Sequence, residues 1–277
     1  MIYVRLAGGL GNQLFQLIAA ILVSKQTGLK VVPIMDALSR YAQQRSADSL
    51  RLLSSPLMLS PEVTRPTAAL CWLITTGRIG RWLPTIGLND GNFQDWPDLL
   101  RSSHLCVVDG YFQKGWTVTR FEEVMQKCIF PPPSAAARER IKADECLIHI
   151  RGGDFLSHIS HQVVNADYYV TAVQQAKAIG WSKFVVMTDD LEYAQLLTTI
   201  IADRLPDVQF HIMPPSPDPL EDIGTLQLAS ARIIGNSTFA WWGTALDKRR
   251  AITWSPSKFL RDSERDFYLS WEQRIAV

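Results

Sequence analysis

Apolar positions along the chain alternate between two periods. Residues 2–6, Ile2-Tyr3-Val4-Arg5-Leu6, form a short apolar run that ends at Gly8-Gly9-Leu10-Gly11. From Asn12 onward, Leu14, Leu17, Ile18 and Ile21 recur at helical spacing. The pattern predicts a strand, a tight glycine turn and a helix that Gly28 can stop. A second strand over Leu29-Lys30-Val31-Val32-Pro33-Ile34 then closes a β-α-β unit.

The region from about 38 to 105 has weak periodicity, with Trp72, Trp82 and Trp96 scattered among Pro and Gly, and reads as short helices and loops. Asp109-Gly110-Tyr111-Phe112-Gln113 follows the apolar pair Val107-Val108 and reads as a further strand end. Pro131-Pro132-Pro133-Ser134 resists regular pairing and places a boundary near residue 135. Beyond it strands at 146–151, 183–187, 208–213 and 232–235, with Thr253 nearby, alternate with helices at 166–179, from Asp190, at 220–231 and from Phe239 to Leu246. The expected fold class is α/β with two Rossmann-like lobes, 1–134 and 135–277, and a cleft between them.

Composition narrows the function classes. Hydrophobic residues make up 47% and charged residues 20% of the 277, which excludes disordered and fibrous classes. A net charge of +1 argues against a nucleic-acid partner, since such binders carry clustered Lys and Arg. Cys71, Cys106, Cys128 and Cys146 are widely spaced without C-x-x-C, so they read as reduced thiols in a reducing cytosol. No signal peptide and no membrane-spanning segment is legible, which leaves at most peripheral contact at the inner face of a membrane.

The chemistry gathers where predicted strands stop. One ends in His149-Ile150-Arg151-Gly152-Gly153-Asp154, a second in Thr188-Asp189-Asp190, a third in Gly235-Asn236-Ser237-Thr238. In a parallel sheet these ends share one side, so residues distant in sequence converge on one crevice. Arg151 can clamp a pyrophosphate bidentately, and Ser237 and Thr238 open a helix whose N-terminus favours anions. Asp189 and Asp222 are the acidic groups that can accept from the donors of a guanine edge.

Each residue also has a plain structural reading. Arg151 can be a salt-bridge partner, Ser237-Thr238 a helix cap, Asp190 an N-cap, and Trp241 and Trp242 core side chains. His158 and His161 lack a third ligand, so no metal site is expected. Gly9-Leu10-Gly11 begins like G-x-G-x-x-G but has Leu14 at the third glycine position, which ranks an NAD-dependent oxidoreductase as a rival. No G-x-x-x-x-G-K-[ST] and no Asp-x-Asp occur. A non-catalytic sugar-nucleotide-binding protein is the other rival.

Taken together, Gly8-Gly9-Leu10-Gly11-Asn12-Gln13-Leu14-Phe15-Gln16, His149-Ile150-Arg151-Gly152-Gly153-Asp154-Phe155 and Gly235-Asn236-Ser237-Thr238-Phe239-Ala240-Trp241-Trp242-Gly243 resemble the motif set of the α-1,2-fucosyltransferases of glycosyltransferase family 11. Gly110-Tyr111-Phe112-Gln113, Asp167-Tyr168-Tyr169, Thr188-Asp189-Asp190 and Glu221-Asp222 are weaker matches in the same order. The resemblance implies a GT-B fold, a GDP-β-L-fucose donor, a galactose-terminated acceptor, and inversion without metal or other cofactor. It implies that Arg151 holds the donor phosphates, that Asp154 and His149 line the reaction centre, and that Asn236, Ser237, Thr238 and Phe239 bind the diphosphate. Gly9, Gly11, Asn12 and Gln13 would reach the donor from the first lobe, and Asp222, or else Asp189, would hold the guanine. The family pattern is His-x-Arg-Arg-Gly-Asp-Tyr; here Gly152 stands for the second Arg and Phe155 for the Tyr, which leaves another GDP-linked deoxysugar open as donor.

Overall fold

The computed structural model describes residues 1–35, 37–38, 46–59, 85–99 and 105–277, excluding the side chains of residues 85, 94, 98, 99, 105, 116 and 154. Cys71, Trp72, Trp82 and most of the weakly periodic stretch lie outside the described residues. The chain forms two compact units, Met1–Pro131 and Pro132–Val277. Each is built on a wholly parallel sheet, so the class is α/β of the GT-B type with two Rossmann-like units.

In the first unit β1 (Ile2–Arg5), β2 (Val31–Ile34), β3 (Thr85–Leu88) and β4 (Leu105–Val108) lie in the order β2-β1-β4-β3. Helix α1 (Leu10–Thr27) begins two residues earlier than its apolar period, because Gly9 already serves as N-cap and Gly11 is buried within the first turn. The tight turn is therefore Gly8-Gly9, with Gly8 at φ 75°. Gly28 ends α1 in the left-handed conformation, donating to the Ser24 carbonyl at 2.8 Å. Strand β3 was not legible as a strand, since Thr85-Ile86-Gly87-Leu88 is short and carries a glycine.

The second unit has β5 (Cys146–Ile150), β6 (Lys183–Thr188), β7 (Gln209–Ile212), β8 (Ala231–Ile234), β9 (Thr253–Pro256) and β10 (Glu272–Ile275), ordered β10-β9-β8-β5-β6-β7. Its longer helices are α2 (Ala166–Ala178), α3 (Leu191–Arg204), α4 (Pro219–Leu228) and α5 (Thr238–Ala245). Their N-caps are Asn165, Asp190, Asp218 and Ser237, each accepting from a first-turn backbone N–H. Helix α5 packs tightly on α4: a Cβ on Gly243 would lie 3.1 Å from Leu226 Cδ1. Trp241 and Trp242 are fully buried and belong to the core. So do two ion pairs, Arg232 with Asp247 and Arg265 with Glu272.

Candidate functional site

In open parallel sheets, ligands bind outside the carboxyl ends of strands where the strand order reverses. In the second unit the chain runs from β5 outward through β6 to β7, then returns to β8 on the other side of β5. The reversal lies between β5 and β8. At that point β5 delivers Arg151 and β8 delivers Gly235 and the N-terminus of α5. Register places His149 beside Ile234, and the His149 and Phe239 rings lie 6.2 Å apart.

The strand end after β6 grips the one after β5. Asp189, after β6, accepts the Gly152 N–H through Oδ1 at 2.9 Å and the Arg151 guanidinium through Oδ2 at 2.5 Å. Asp190 accepts the Gly153 N–H at 3.1 Å while capping α3 through Tyr193. Arg151 also lies over the Phe155 ring, 4.9 Å from its centroid. The cation is thus fixed from two sides and partly exposed at the strand end.

The two glycines have separate reasons. Gly153 sits at φ 49°, where side chains are strained. Gly152 is hemmed in: an added Cβ would lie 2.8 Å from Asp190 Oδ2 and 2.9 Å from its Cγ. Asp190 therefore fills the space that a side chain at 152 would need. Gly152→Ala is expected to destabilise the fold by ~1–3 kcal/mol, the usual cost of overpacking, read as a lower Tm. An unchanged Tm would show that Asp190 is not packed there.

His149 is buried, its Nδ1 has no hydrogen-bond partner among the described residues, and its backbone carbonyl accepts from Tyr169 Oη at 3.2 Å and Gly235 N at 3.1 Å. Desolvation, only partly offset by the nearby Asp189, lowers its pKa to about 4. The imidazole is neutral at pH 7. Because the unfolded chain binds this proton near the ordinary histidine value of 6.5, stability falls as pH drops from 6.5 and the loss levels off below about 4. The full difference is about 3 kcal/mol. His149→Phe should flatten that acid limb in a series of Tm measurements from pH 4 to 7; an unchanged slope would assign it elsewhere.

Several expected ligand contacts turn out to be internal. Asn236 donates to the carbonyls of His161 (2.8 Å) and Phe259 (3.0 Å), so its amide hydrogens pin two loops beside the crevice instead of pointing at a diphosphate. Ser237 Oγ caps α5 through Ala240 N. Helix α5 opens at Thr238, and the positive end of its dipole favours an anion on this side. Gln13 is wholly buried, donating to the carbonyls of Gly8 and Ser46 and accepting from Ser49 Oγ, so it clamps the glycine turn.

The two acidic candidates for guanine both have partners within the chain. Asp189 is committed to Arg151 and Gly152. Asp222 lies in the first turn of α4 and pairs with Arg140 at 2.6 Å. Burial raises its carboxyl pKa against the lowering pull of that cation. Asp154 opens the short helix Asp154–Ser157, directly after the Arg151 turn. His158 and His161 stack edge to face at 5.9 Å, and among the described residues no three His, Cys, Asp or Glu side chains form a metal-holding group. Of the cysteines, Cys106 and Cys128 are free thiols that burial pushes up to about 12, and Cys146 is raised further. Such thiols are inert.

In the first unit the glycine turn and Asn12 follow β1, and Asn12 Oδ1 accepts from Gln113 Nε2 at 3.0 Å. Gly9 and Gly11 present backbone at the start of α1. No helix among the described residues is long and apolar enough to cross a membrane.

Comparison with known proteins bears on this geometry. Residues 138–273, almost the whole second unit, match the model of Glycosyl transferase family 11. An alpha-1,2-colitosyltransferase of Escherichia coli is 24% identical over 288 residues, spanning 95% of this chain and 94% of that protein. The NodZ alpha-1,6-fucosyltransferase of Bradyrhizobium, co-crystallized with GDP, superposes with a TM-score of 0.51 at 16% identity, covering 88% of this chain and 91% of that one. A mutant of Arabidopsis thaliana FUT1 in complex with GDP gives 0.54 at 13% identity, covering 92% and 69%. At these identities the structural likeness is one of fold.

Proposed function

From the premise that this chain belongs to glycosyltransferase family 11, we propose that it transfers L-fucose from GDP-β-L-fucose to the 2-hydroxyl of a terminal β-galactoside, with inversion and without metal. One observation carries the reading: Arg151 and the N-terminus of α5 flank the strand-order reversal between β5 and β8. A guanidinium and a helix dipole at that point suit a diphosphate leaving group. GDP seen in fucosyltransferases of the same fold supports this choice of nucleotide.

In the proposed reaction the acceptor oxygen bonds to the anomeric carbon of fucose as the bond from that carbon to the β-phosphate oxygen breaks. Charge builds on GDP, and fixed positive groups aimed at it are the main source of rate. Arg151 supplies one and the Thr238 and Phe239 N–H groups supply the others. The acceptor proton passes to a base, for which Asp154 is the first choice. His149, held neutral and far below neutrality in pKa, is a weaker second and serves better as a wall of the site. Asn12, Gly9 and Gly11 remain the proposed donor contacts of the first unit, and Asp222 the proposed guanine acceptor, which would exchange part of its pairing with Arg140 for the base.

The colitosyltransferase relative and Gly152 together favour a second donor, GDP-colitose, whose sugar is fucose without the 3-hydroxyl. Comparing kcat/KM for the two donors decides between them. For the reaction class, GDP release is measured with donor and lactose, together and singly, in EDTA. Release that requires both substrates is expected; release of nothing, with GDP bound, would leave the binding-protein reading, and NAD(P)H binding would revive the oxidoreductase.

A further inference from the structure

Arg151 is held in two different ways. Its charged edge meets a carboxylate: Asp189 Oδ2 lies 2.5 Å from Nη1, while Oδ1 of the same group accepts the Gly152 N–H at 2.9 Å. Register brings the two together, since Ile150 and Thr188 are partners at the ends of β5 and β6, and Arg151 and Asp189 are the residues that follow. The guanidinium carbon lies over the Phe155 ring, 4.9 Å from its centroid. That ring is braced in turn by the His161 ring, centroid to centroid 4.5 Å, and Asn236 Nδ2 holds the His161 carbonyl at 2.8 Å.

The two grips are not equivalent. Stacking on a ring uses the face of a guanidinium, whereas a carboxylate takes its N–H edge, the part that also reads a phosphate. A carboxylate and a phosphate at that edge ask for the same donors. Asp190 adds a second carboxylate on the next residue, its Oδ2 accepting the Gly153 N–H at 3.1 Å, and Gly152 brings no cation to balance it. Like charges at this range oppose an incoming diphosphate. Arg151 and Asp189 are both partly exposed, so solvent and ligand reach the pair. The Gly152 N–H keeps Asp189 in place when its cation is drawn away.

We propose that Asp189 is a resident anion on Arg151, which the incoming diphosphate displaces while Phe155 keeps the guanidinium in place. Asp189 is thereby a positioning residue that sets how tightly the nucleotide is held. Binding is an exchange at one edge of one cation. The chain with Arg151 open is a minor population, and the apparent affinity for the nucleotide is lowered by that fraction. When GDP leaves, Asp189 retakes the cation, which favours release of the product. That the displacing ligand is GDP or its sugar conjugate rests on the function proposed above.

The test uses the full chain and needs no turnover. GDP binding is measured by calorimetry for the wild type, Asp189→Asn, Arg151→Ala and the double variant, with Tm recorded for each. An Asn oxygen can still accept the Gly152 N–H, but the charge that holds Arg151 is gone. Asp189→Asn is expected to bind GDP about tenfold tighter, the gain when a competent state rises from about a tenth of the population to nearly all of it. Arg151→Ala binds more weakly than the wild type, and adding Asp189→Asn to it restores little. Asp189→Ser gains as Asn does and takes its place if Asn fails to fold, whereas Asp189→Glu, which keeps the charge, does not gain. Unchanged or weaker GDP binding by the folded neutral variant would overturn the inference, because Asp189 would then only brace the turn. So would an equal gain in the Arg151→Ala background, which would mean that Asp189 acts by charge at a distance. GDP binding by Arg151→Ala as tight as the wild type, or by none of the chains, would remove the phosphate role of Arg151 in the proposed function, and the exchange with it.

Discussion

Arg151→Ala is expected to lower kcat for transfer by ~10²–10³ at saturating donor, the size of effect seen when one preorganised group facing developing charge is removed. The side chain is 22% exposed and its partner Asp189 35%, so the carboxylate left behind reaches solvent and keeps its bond to the Gly152 N–H. Folding should therefore survive, with Tm close to the wild type. Arg151→Lys should recover only part of the rate, because an ammonium cannot span two phosphate oxygens as a planar fork does. Steady-state kinetics with GDP-fucose and lactose provide the check. Near-normal turnover in Arg151→Ala would remove the phosphate role.

The largest stability effect is expected at Glu272. Its Oε2 accepts from Arg265 at 2.7 Å and Ser255 Oγ at 2.6 Å, and its Oε1 from Trp241 Nε1 at 3.0 Å and Leu269 N at 2.9 Å. Both side chains of the ion pair are 0% exposed. Glu272→Ala leaves a guanidinium and three further donors buried without their acceptor, which costs roughly 3–5 kcal/mol, as for other broken buried pairs. Three rings, Phe259, Phe267 and Tyr268, lie within 4.9 Å of the Arg265 guanidinium and soften its position without replacing the carboxylate. Since Trp241 is on α5, loosening here also loosens the helix whose N-terminus faces the proposed diphosphate. Urea denaturation measures the loss; a change below about 1 kcal/mol would show that the network relaxes around the gap.

Strands β5, β6 and β8 were legible because they are largely buried apolar runs, each stopped by polar residues at one end. Convergence of the Arg151, Asp189 and Ser237 strand ends on one side of the sheet follows from strand parallelism alone. What the residues do on arrival was not legible. Asn236 and Gln13 look like ligand amides in sequence, but hydrogen bonds to backbone carbonyls of distant loops claim them, and those loops are set by tertiary structure. Asp189 reads as a free acceptor until β6 is placed beside β5. Strand β10 escaped notice since Glu272-Gln273-Arg274-Ile275 is an edge strand with two exposed polar residues, and its buried glutamate makes sense only with Arg265 opposite. Asp90, which organises the Tyr111 turn, carried no signal: its partners are backbone N–H groups more than twenty residues away.

The reaction, the donor and the role of Arg151 all depend on where a diphosphate binds. A crystal structure of the full chain with GDP measures this most directly. The account predicts diphosphate oxygens on the Arg151 guanidinium and on the Thr238 and Phe239 N–H groups, between the ends of β5 and β8. A diphosphate bound elsewhere, with Arg151 still paired with Asp189, would contradict it.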